Sequence, residues 1–431
     1  MTSNGIRGNF TAMLGSQFSN NHFGVGIIGA GTIFEQHALA CEQLVDRARL
    51  LGVAEVDDAK LRMATAKHFI PFDCHDYREL LERKGIDIVT VCTPPVFHEK
   101  IVVEALEAGK YVLCEKPLAH TLGSADRIIE VARRFPGKLS IVYQFRYLPE
   151  VQRAIWLRDN GRLGPLLLGR FSRYACFQKP AKKSKPGKKP KPVKKRADWW
   201  GRWEVAGGGE VMTQLIHEID LMYHIFGHPV SVMSVMDTLK EPIESEDTCV
   251  ATLRFESGAI VCCYGTMNAH RSSNGFDVFG KLGTVHYPWS LECMDQKRQK
   301  DALRDVLAVY PPAVNLPPKL NLIKLAVRKI TSRLQGEARA KPKPSEHTPY
   351  FAAVLDAIEA GRPLPIGPEE ARASLEICTG IYASALTGAP ISLPLDKTNE
   401  YYNGITTRDY DGRKRLQAGN SVLPAGKSVE T

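Results

Sequence analysis

The chain has 431 residues, 44% hydrophobic and 24% charged, which is the balance of a soluble globular protein long enough for two domains. It contains no apolar run of about 18 residues, so no membrane-spanning helix is expected. Its ten cysteines form no C-x-x-C pair, which excludes a zinc or disulfide framework and fits a reducing, cytoplasmic setting.

The formal charge of +10 is local, because the nine lysines and one arginine of 179–196 (KPAKKSKPGKKPKPVKKR) account for all of the excess. Residues 1–21 are polar and lack the apolar core of a signal peptide, so they read as a loose tail. From 22 to 143, strand-like apolar runs at 23–28, 50–56, 87–92, 110–114 and 139–143 alternate with helical periodicity, as at 98–108 and 124–134. That alternation predicts a doubly wound parallel sheet with helices on both faces.

From 144 to 395 the texture changes. A helix at 149–160 leads to a strand at 166–176, the basic insert, and a helix beginning near Glu210. Strands at 231–236, 248–255, 259–264, 274–279 and 284–287 then follow one another across tight turns such as Glu256-Ser257-Gly258. This predicts an α+β domain with a large, mostly antiparallel sheet. Residues 345–388 return to helix, and 396–431 read as a polar tail with little to bury.

Three segments carry chemistry. Gly29-Ala30-Gly31-Thr32-Ile33-Phe34 follows a strand and opens a helix, where backbone N–H groups can receive a pyrophosphate. Phe34 stands where a third glycine would ease helix–strand packing. Asp57, at the end of the second run, can accept the adenosine ribose hydroxyls; Asp58 follows and no adjacent arginine is available for a 2′-phosphate, so NAD is favoured over NADP. Glu115-Lys116-Pro117 lies at the carboxyl end of a parallel strand, where such sheets bind ligands. A lysine beside an oxidised nicotinamide has a lowered pKa suited to proton transfer. In Gly207-Gly208-Gly209 and the helix after it, Thr213, His217 and Asp220 share one face. His217 can take a hydroxyl proton there, or be a hydrogen-bonded core histidine. A metal set of His217, Asp220 and His224 has no further clustered ligand, and no metal is expected.

Together these segments resemble the Gfo/Idh/MocA family, named for glucose–fructose oxidoreductase, inositol dehydrogenase and a rhizopine-catabolism protein. Also carrying the resemblance are Thr93-Pro94-Pro95 with His98, Ala108-Gly109-Lys110, and Ser384-Ala385-Leu386-Thr387-Gly388 before Leu393-Pro394. It implies a Rossmann domain followed by an α+β domain whose open sheet supports homo-oligomers, with the active site where the two meet. It implies Lys116 and His217 as catalytic residues. Gly29, Gly31, Thr32, Ile33, Asp57, Thr93, Pro94, His98, Glu115 and Lys116 would line the cofactor. Lys116, Arg146, Thr213, Gln214 and His217 would face substrate, with Gln144 near Arg146. Many members have Asp where this chain has Thr213, and a neutral hydroxyl cannot stabilise an imidazolium as a carboxylate does.

The expected activity is hydride transfer between a nicotinamide and a secondary alcohol of a sugar, cyclitol or sugar derivative. Two alternatives stand beside it: an NAD-retaining glycosidase-like enzyme, and a non-catalytic dinucleotide-binding protein. The insert, too polar to fold alone, is either a solvated loop or a tether for an anionic partner. The segment 319–335 has one apolar side and a basic remainder. Trp199 and Trp200 can stack on a sugar or close the core.

Overall fold

The computed structural model describes residues 22–176, 198–311 and 345–417. The insert 179–196, the basic segment 319–335 and the terminal tail 1–21 therefore lie outside the described residues.

The first domain is a six-stranded parallel sheet of β1 (Phe23–Ile28), β2 (Ala48–Ala54), β3 (Phe72–Cys74), β4 (Ile88–Val91), β5 (Tyr111–Glu115) and β6 (Leu139–Val142) in the order β3-β2-β1-β4-β5-β6. Its helices are α1 (Phe34–Gln43), α2 (Asp58–His68), α3 (Tyr77–Glu82), α4 (His98–Glu107) and α5 (Leu122–Ala132). The order reverses between β1 and β4, and the loops leaving those strands part there to form the crevice of doubly wound sheets. β4 and β6 are buried along their whole length, which is why they read as continuous apolar runs.

The second domain follows α6 (Pro149–Asp159) with an eight-stranded sheet. Its strands are β7 (Leu166–Cys176), β8 (Pro229–Asp237), β9 (Thr248–Phe255), β10 (Ile260–Thr266), β11 (Asn268–Gly280), β12 (Thr284–His286), β13 (Ser290–Glu292) and β14 (Ile391–Ser392), in the order β13-β12-β11-β7-β10-β9-β8-β14. All neighbours run antiparallel except β7 and β10, which are parallel. The helices are α7 (Trp203–Ala206), α8 (Ile216–Phe226), α9 (Gln296–Val309), α10 (Thr348–Glu359), α11 (Pro368–Thr387) and α12 (Gly412–Gln417). α8 and α11 cover the inner face of this sheet, and α11 also packs on α5 of the first domain. The outer face carries exposed Leu168, Met233, Val235, Val250 and Ile260. No described helix is long and apolar enough to cross a membrane.

The segment after 395 departs from the expected unpacked tail. Tyr402, Ile405 and Tyr410 are buried. The Tyr402 hydroxyl donates to Asp126 at 2.6 Å, and the Trp203 indole donates to the Tyr410 carbonyl at 3.0 Å. Tyr410→Ala is expected to lower stability by roughly 3 kcal/mol, the cost of emptying a buried aromatic site. Thermal or denaturant unfolding measures this, and an unchanged midpoint would mean that the segment is not part of the cooperative core.

Candidate active site

The crevice begins at the glycine loop. Gly29 has φ +96°, and a Cβ on it would come 2.8 Å from the Cys92 carbonyl oxygen, so chain geometry alone requires glycine there. Gly31 differs: a Cβ on it would meet no protein atom within 4 Å. Thr32 is exposed and Ile33 half-buried, and no side chain caps the start of α1, so its first N–H groups take no side-chain partner there. Phe34 creates no conflict. It is buried and meets the His68 ring edge-on at 5.6 Å between centroids. Open space at Gly31 beside unspent helix N–H groups is what a dinucleotide pyrophosphate requires.

The acidic residue beside this loop is Glu55 and not Asp57. Glu55 directly follows β2, and its carboxylate accepts from the Ala30 N–H at 2.7 Å and the Asp57 N–H at 3.0 Å. Asp57 instead caps α2, accepting from Ala59 and Lys60 N–H groups at 2.9 Å each. Glu55→Gln is expected to weaken NAD binding about tenfold, the loss of one charge-assisted hydrogen bond, and to reduce preference for NAD over NADP. Asp57→Ala should loosen α2 while leaving nucleotide affinity unchanged. Titration of both nucleotides into both variants separates the two roles.

Thr93 and Pro94 are half-buried after β4, and the Thr93 hydroxyl is buried without a partner. An orphaned hydroxyl at a strand end invites a polar group of a ligand. His98 does not face that ligand. Its ring nitrogens lie 2.9 Å from the carbonyls of Pro117 and Thr93, so it joins the turns after β4 and β5.

Glu115 also points away from the crevice. Its Oε1 accepts from His37 at 2.7 Å and from His347 at 3.2 Å. Burial alone would raise this carboxyl, but the hydrogen bonds from His347 and His37 win and hold it well below the usual range. The ligand-capable atoms of the three residues lie within 4.8 Å of one another, a spacing that could hold a metal; here both rings meet Glu115 Oε1, while Nδ1 of His37 and of His347 is buried without a partner.

Lys116 follows Glu115 at the end of β5 and reaches across to the second domain, its Nζ donating to the Thr213 carbonyl at 2.7 Å. Burial pushes its ammonium down to about 8; Glu115 pulls upward and the Arg173 charge adds to the fall. Thr213 lies in a π-helical turn, Val211–Leu215, that leads into α8. Its hydroxyl donates to the Gly209 carbonyl at 2.7 Å, so its side chain is spent within the turn, and it is the backbone carbonyl that serves Lys116.

The glycines before this turn accommodate protein. A Cβ on Gly208 would come 2.0 Å from the Tyr382 hydroxyl, and one on Gly209 1.8 Å from the Glu246 carbonyl. The Glu246 carboxylate then accepts the Gly209 and Val211 N–H groups at 3.1 and 2.8 Å, fixing the start of the turn.

His217 is buried and stacks on Phe145, with centroids 4.5 Å apart, and its Nδ1 has no partner. Burial lowers its pKa well below the ordinary value, and the Lys116 and Arg173 charges push the same way, so the imidazole is neutral near pH 7. The other candidates on its helix are spent. Asp220 takes a fork from Arg146, Nε to Oδ2 at 2.8 Å and a terminal nitrogen to Oδ1 at 2.7 Å. Arg146 also donates to Glu370 at 2.5 Å, so it is spent joining two helices of the second domain and does not face substrate. Gln144 is buried beside it. His224, lowered to about 4 by burial, has no Asp220 left to share a metal with.

Gln214 does face the crevice, and its amide oxygen accepts from Arg173 at 3.4 Å. Arg173 was not marked by the sequence. It stands inside a strand with no motif around it, and only the inward alternation of Phe171, Arg173 and Ala175 could have signalled it.

A Rossmann crevice with open space at its glycine loop, and a lysine that reaches from it across the domain boundary toward a neutral histidine, defines an NAD-binding oxidoreductase of the two-domain kind. Residues 23–143 match the oxidoreductase family with NAD-binding Rossmann fold, and residues 151–286 match the GFO/IDH/MocA C-terminal domain. The chain belongs to the GFO/IDH/MocA family.

Among curated relatives it is 28% identical to the oxidoreductase YrbE of Bacillus subtilis, over 60% of this chain and 72% of that one. It is 28% identical to myo-inositol 2-dehydrogenase of Thermotoga maritima, over 61% and 74%. Similarity to levoglucosan dehydrogenase of Pseudarthrobacter phenanthrenivorans is 24%, over 61% and 72%. The fold matches the WlbA dehydrogenase of Bordetella pertussis, solved with NADH and UDP-GlcNAcA, at TM-score 0.67 and 23% identity, covering 88% of this chain and all of that one.

Proposed function

We propose that the protein is an NAD-dependent dehydrogenase acting on a secondary alcohol of a sugar, cyclitol or sugar derivative. The observation that carries this reading is Lys116, a lysine with its pKa lowered to about 8, fixed on the Thr213 carbonyl in the crevice beside neutral His217. Relatives named for myo-inositol and levoglucosan support the substrate class.

NAD, when bound, supplies the hydride acceptor and NADH the donor. The chain supplies the rest. Gly31 and the open start of α1 receive the pyrophosphate. Glu55 accepts ribose hydroxyls and repels a 2′-phosphate, which favours NAD over NADP. The Thr93 hydroxyl offers a further hydrogen bond.

Lys116, as free amine, takes the proton of the substrate hydroxyl at Nζ. In the reverse direction its ammonium returns that proton. His217 has too low a pKa to compete for it and instead hydrogen-bonds the hydroxyl, fixing its direction toward Lys116. The absence of a carboxylate at Thr213 costs nothing in this scheme, because no imidazolium forms. Gln214 orients the ring.

The exposed apolar outer face of the second sheet is where we expect copies of the chain to associate. A Val235→Lys variant that keeps the native mass in light scattering would contradict that placement.

A panel of sugars and cyclitols offered with NAD tests the reading through NADH absorbance. NADH formed together with a ketone supports it. Glycosidic cleavage without net NADH, or no reaction with any member, contradicts it.

A further inference from the structure

Two arginines stand near the catalytic residues, and they are held very differently. Arg146 forms a buried fork on Asp220 at 2.7 and 2.8 Å, the geometry of a committed ion pair. Among the described residues Arg173 makes two long hydrogen-bond contacts, 3.4 Å to Glu218 Oε1 and 3.4 Å to Gln214 Oε1. Its side chain keeps 20% of its exposure although it points inward from β7 between buried Phe171 and Ala175. The guanidinium lies 5.3 Å from the Phe145 ring centroid, and His217 stacks on that same ring at 4.5 Å. Arg173 therefore sits one aromatic ring away from the imidazole that meets the reacting hydroxyl.

The acids around it hold it only weakly, through the single 3.4 Å ion pair with Glu218. Glu218 is buried with Oε2 unpartnered, and burial raises its carboxyl to about 7 despite Arg173. Glu210 is buried with both oxygens unpartnered and is raised well above the usual range by burial. Glu115 is taken up by its two histidines. Among the described residues the crevice thus presents two cations, Lys116 bonded to a backbone carbonyl and Arg173 held by one long ion pair and one long amide contact. A guanidinium held this loosely has donors left for a planar bidentate partner.

We propose that Arg173 receives a carboxylate of the substrate, so that the substrate is an acidic sugar, a uronic acid or a derivative of one. This rests on the reading of the crevice as a dehydrogenase site. Lys116 and His217 take the reacting hydroxyl at one end of the sugar, and Arg173, steadied by Gln214, takes the carboxylate at another.

The test uses matched pairs, D-glucuronate against D-glucose and D-galacturonate against D-galactose, with D-glucose 6-phosphate as a second anion. Each is assayed for kcat/KM with NAD and for binding to the NADH complex by calorimetry, in wild type, Arg173→Lys and Arg173→Met. The acids should exceed their neutral partners by about tenfold or more, as for one charge-assisted pair. Arg173→Met should erase that preference, and Arg173→Lys should restore part of it.

Equal treatment of acid and neutral sugar, or a preference that survives Arg173→Met, overturns the proposal. A preference for the phosphate over both uronates overturns the carboxylate assignment. Uronate binding that depends on Arg173 but gives no NADH would keep this proposal and remove the dehydrogenase reading. Turnover of neutral sugars alone would do the reverse, and binding of neither acid overturns the proposal outright.

Discussion

Gly31→Val is expected to abolish nucleotide binding without unfolding the protein. A Cβ at this position meets no protein atom within 4 Å, and the backbone is not in the left-handed region, so the free chain is expected to accommodate a small side chain there. The same side chain fills the space in front of the uncapped start of α1, where a pyrophosphate would rest. NAD affinity should fall by about 100-fold or more, as expected when a principal anion contact is blocked, with the melting temperature unchanged. Gly29→Val provides the contrast. There φ is +96° and the Cys92 carbonyl is 2.8 Å away, so the substitution should impair folding itself. Equilibrium NADH titration alongside thermal unfolding distinguishes the two. Intact binding in Gly31→Val would show that the open space is not a phosphate cradle.

Lys116 gives the largest catalytic effect. Lys116→Met should lower kcat by about 10²–10⁴-fold, the usual worth of a positioned proton acceptor, while the nucleotide still binds. The pH dependence follows from the lowered pKa. Below about 8 the side chain is an ammonium and cannot accept a proton; above it the amine form dominates. Alcohol oxidation should therefore rise as pH increases through about 8 and then level off, whereas ketone reduction should fall over the same interval. His217 should add no limb near neutrality, because its pKa lies well below the ordinary value. A rate that rises through pH 6–7 and is flat at 8 would return the proton to His217.

Much of this was legible in the chain. The strands of the first domain were visible because both faces are covered and the runs are almost wholly apolar. Helix α2 buries only Leu61 and Ala64, which gives the sequence a weak periodic signal for where it starts. The position of that start bears on the site. The second apolar run reads to 56 with Asp57 at its end, whereas β2 stops at Ala54, Asp57 caps α2, and Glu55 is the acid beside the glycine loop. Strand β3 has three residues, of which one is buried. The segment after 395 buries tyrosines through turns, which carry no period to read. That Lys116 and His217 come together where the two domains meet was legible from motif and order. The choice between Arg146 and Arg173 was not, because whether an arginine is spent depends on carboxylates brought to it from distant parts of the chain, Asp220 and Glu370 in the one case and Glu218 in the other.

The central claim is hydride transfer with Lys116 handling the proton. Its most direct test is rapid-mixing absorbance of NAD-saturated wild type and Lys116→Met with the panel of sugars, uronates and cyclitols, at pH 7 and 9. Wild type should form NADH, faster at pH 9 than at pH 7, and Lys116→Met should form almost none at either. No NADH from wild type with any member, or equal rates in the variant, would contradict the account.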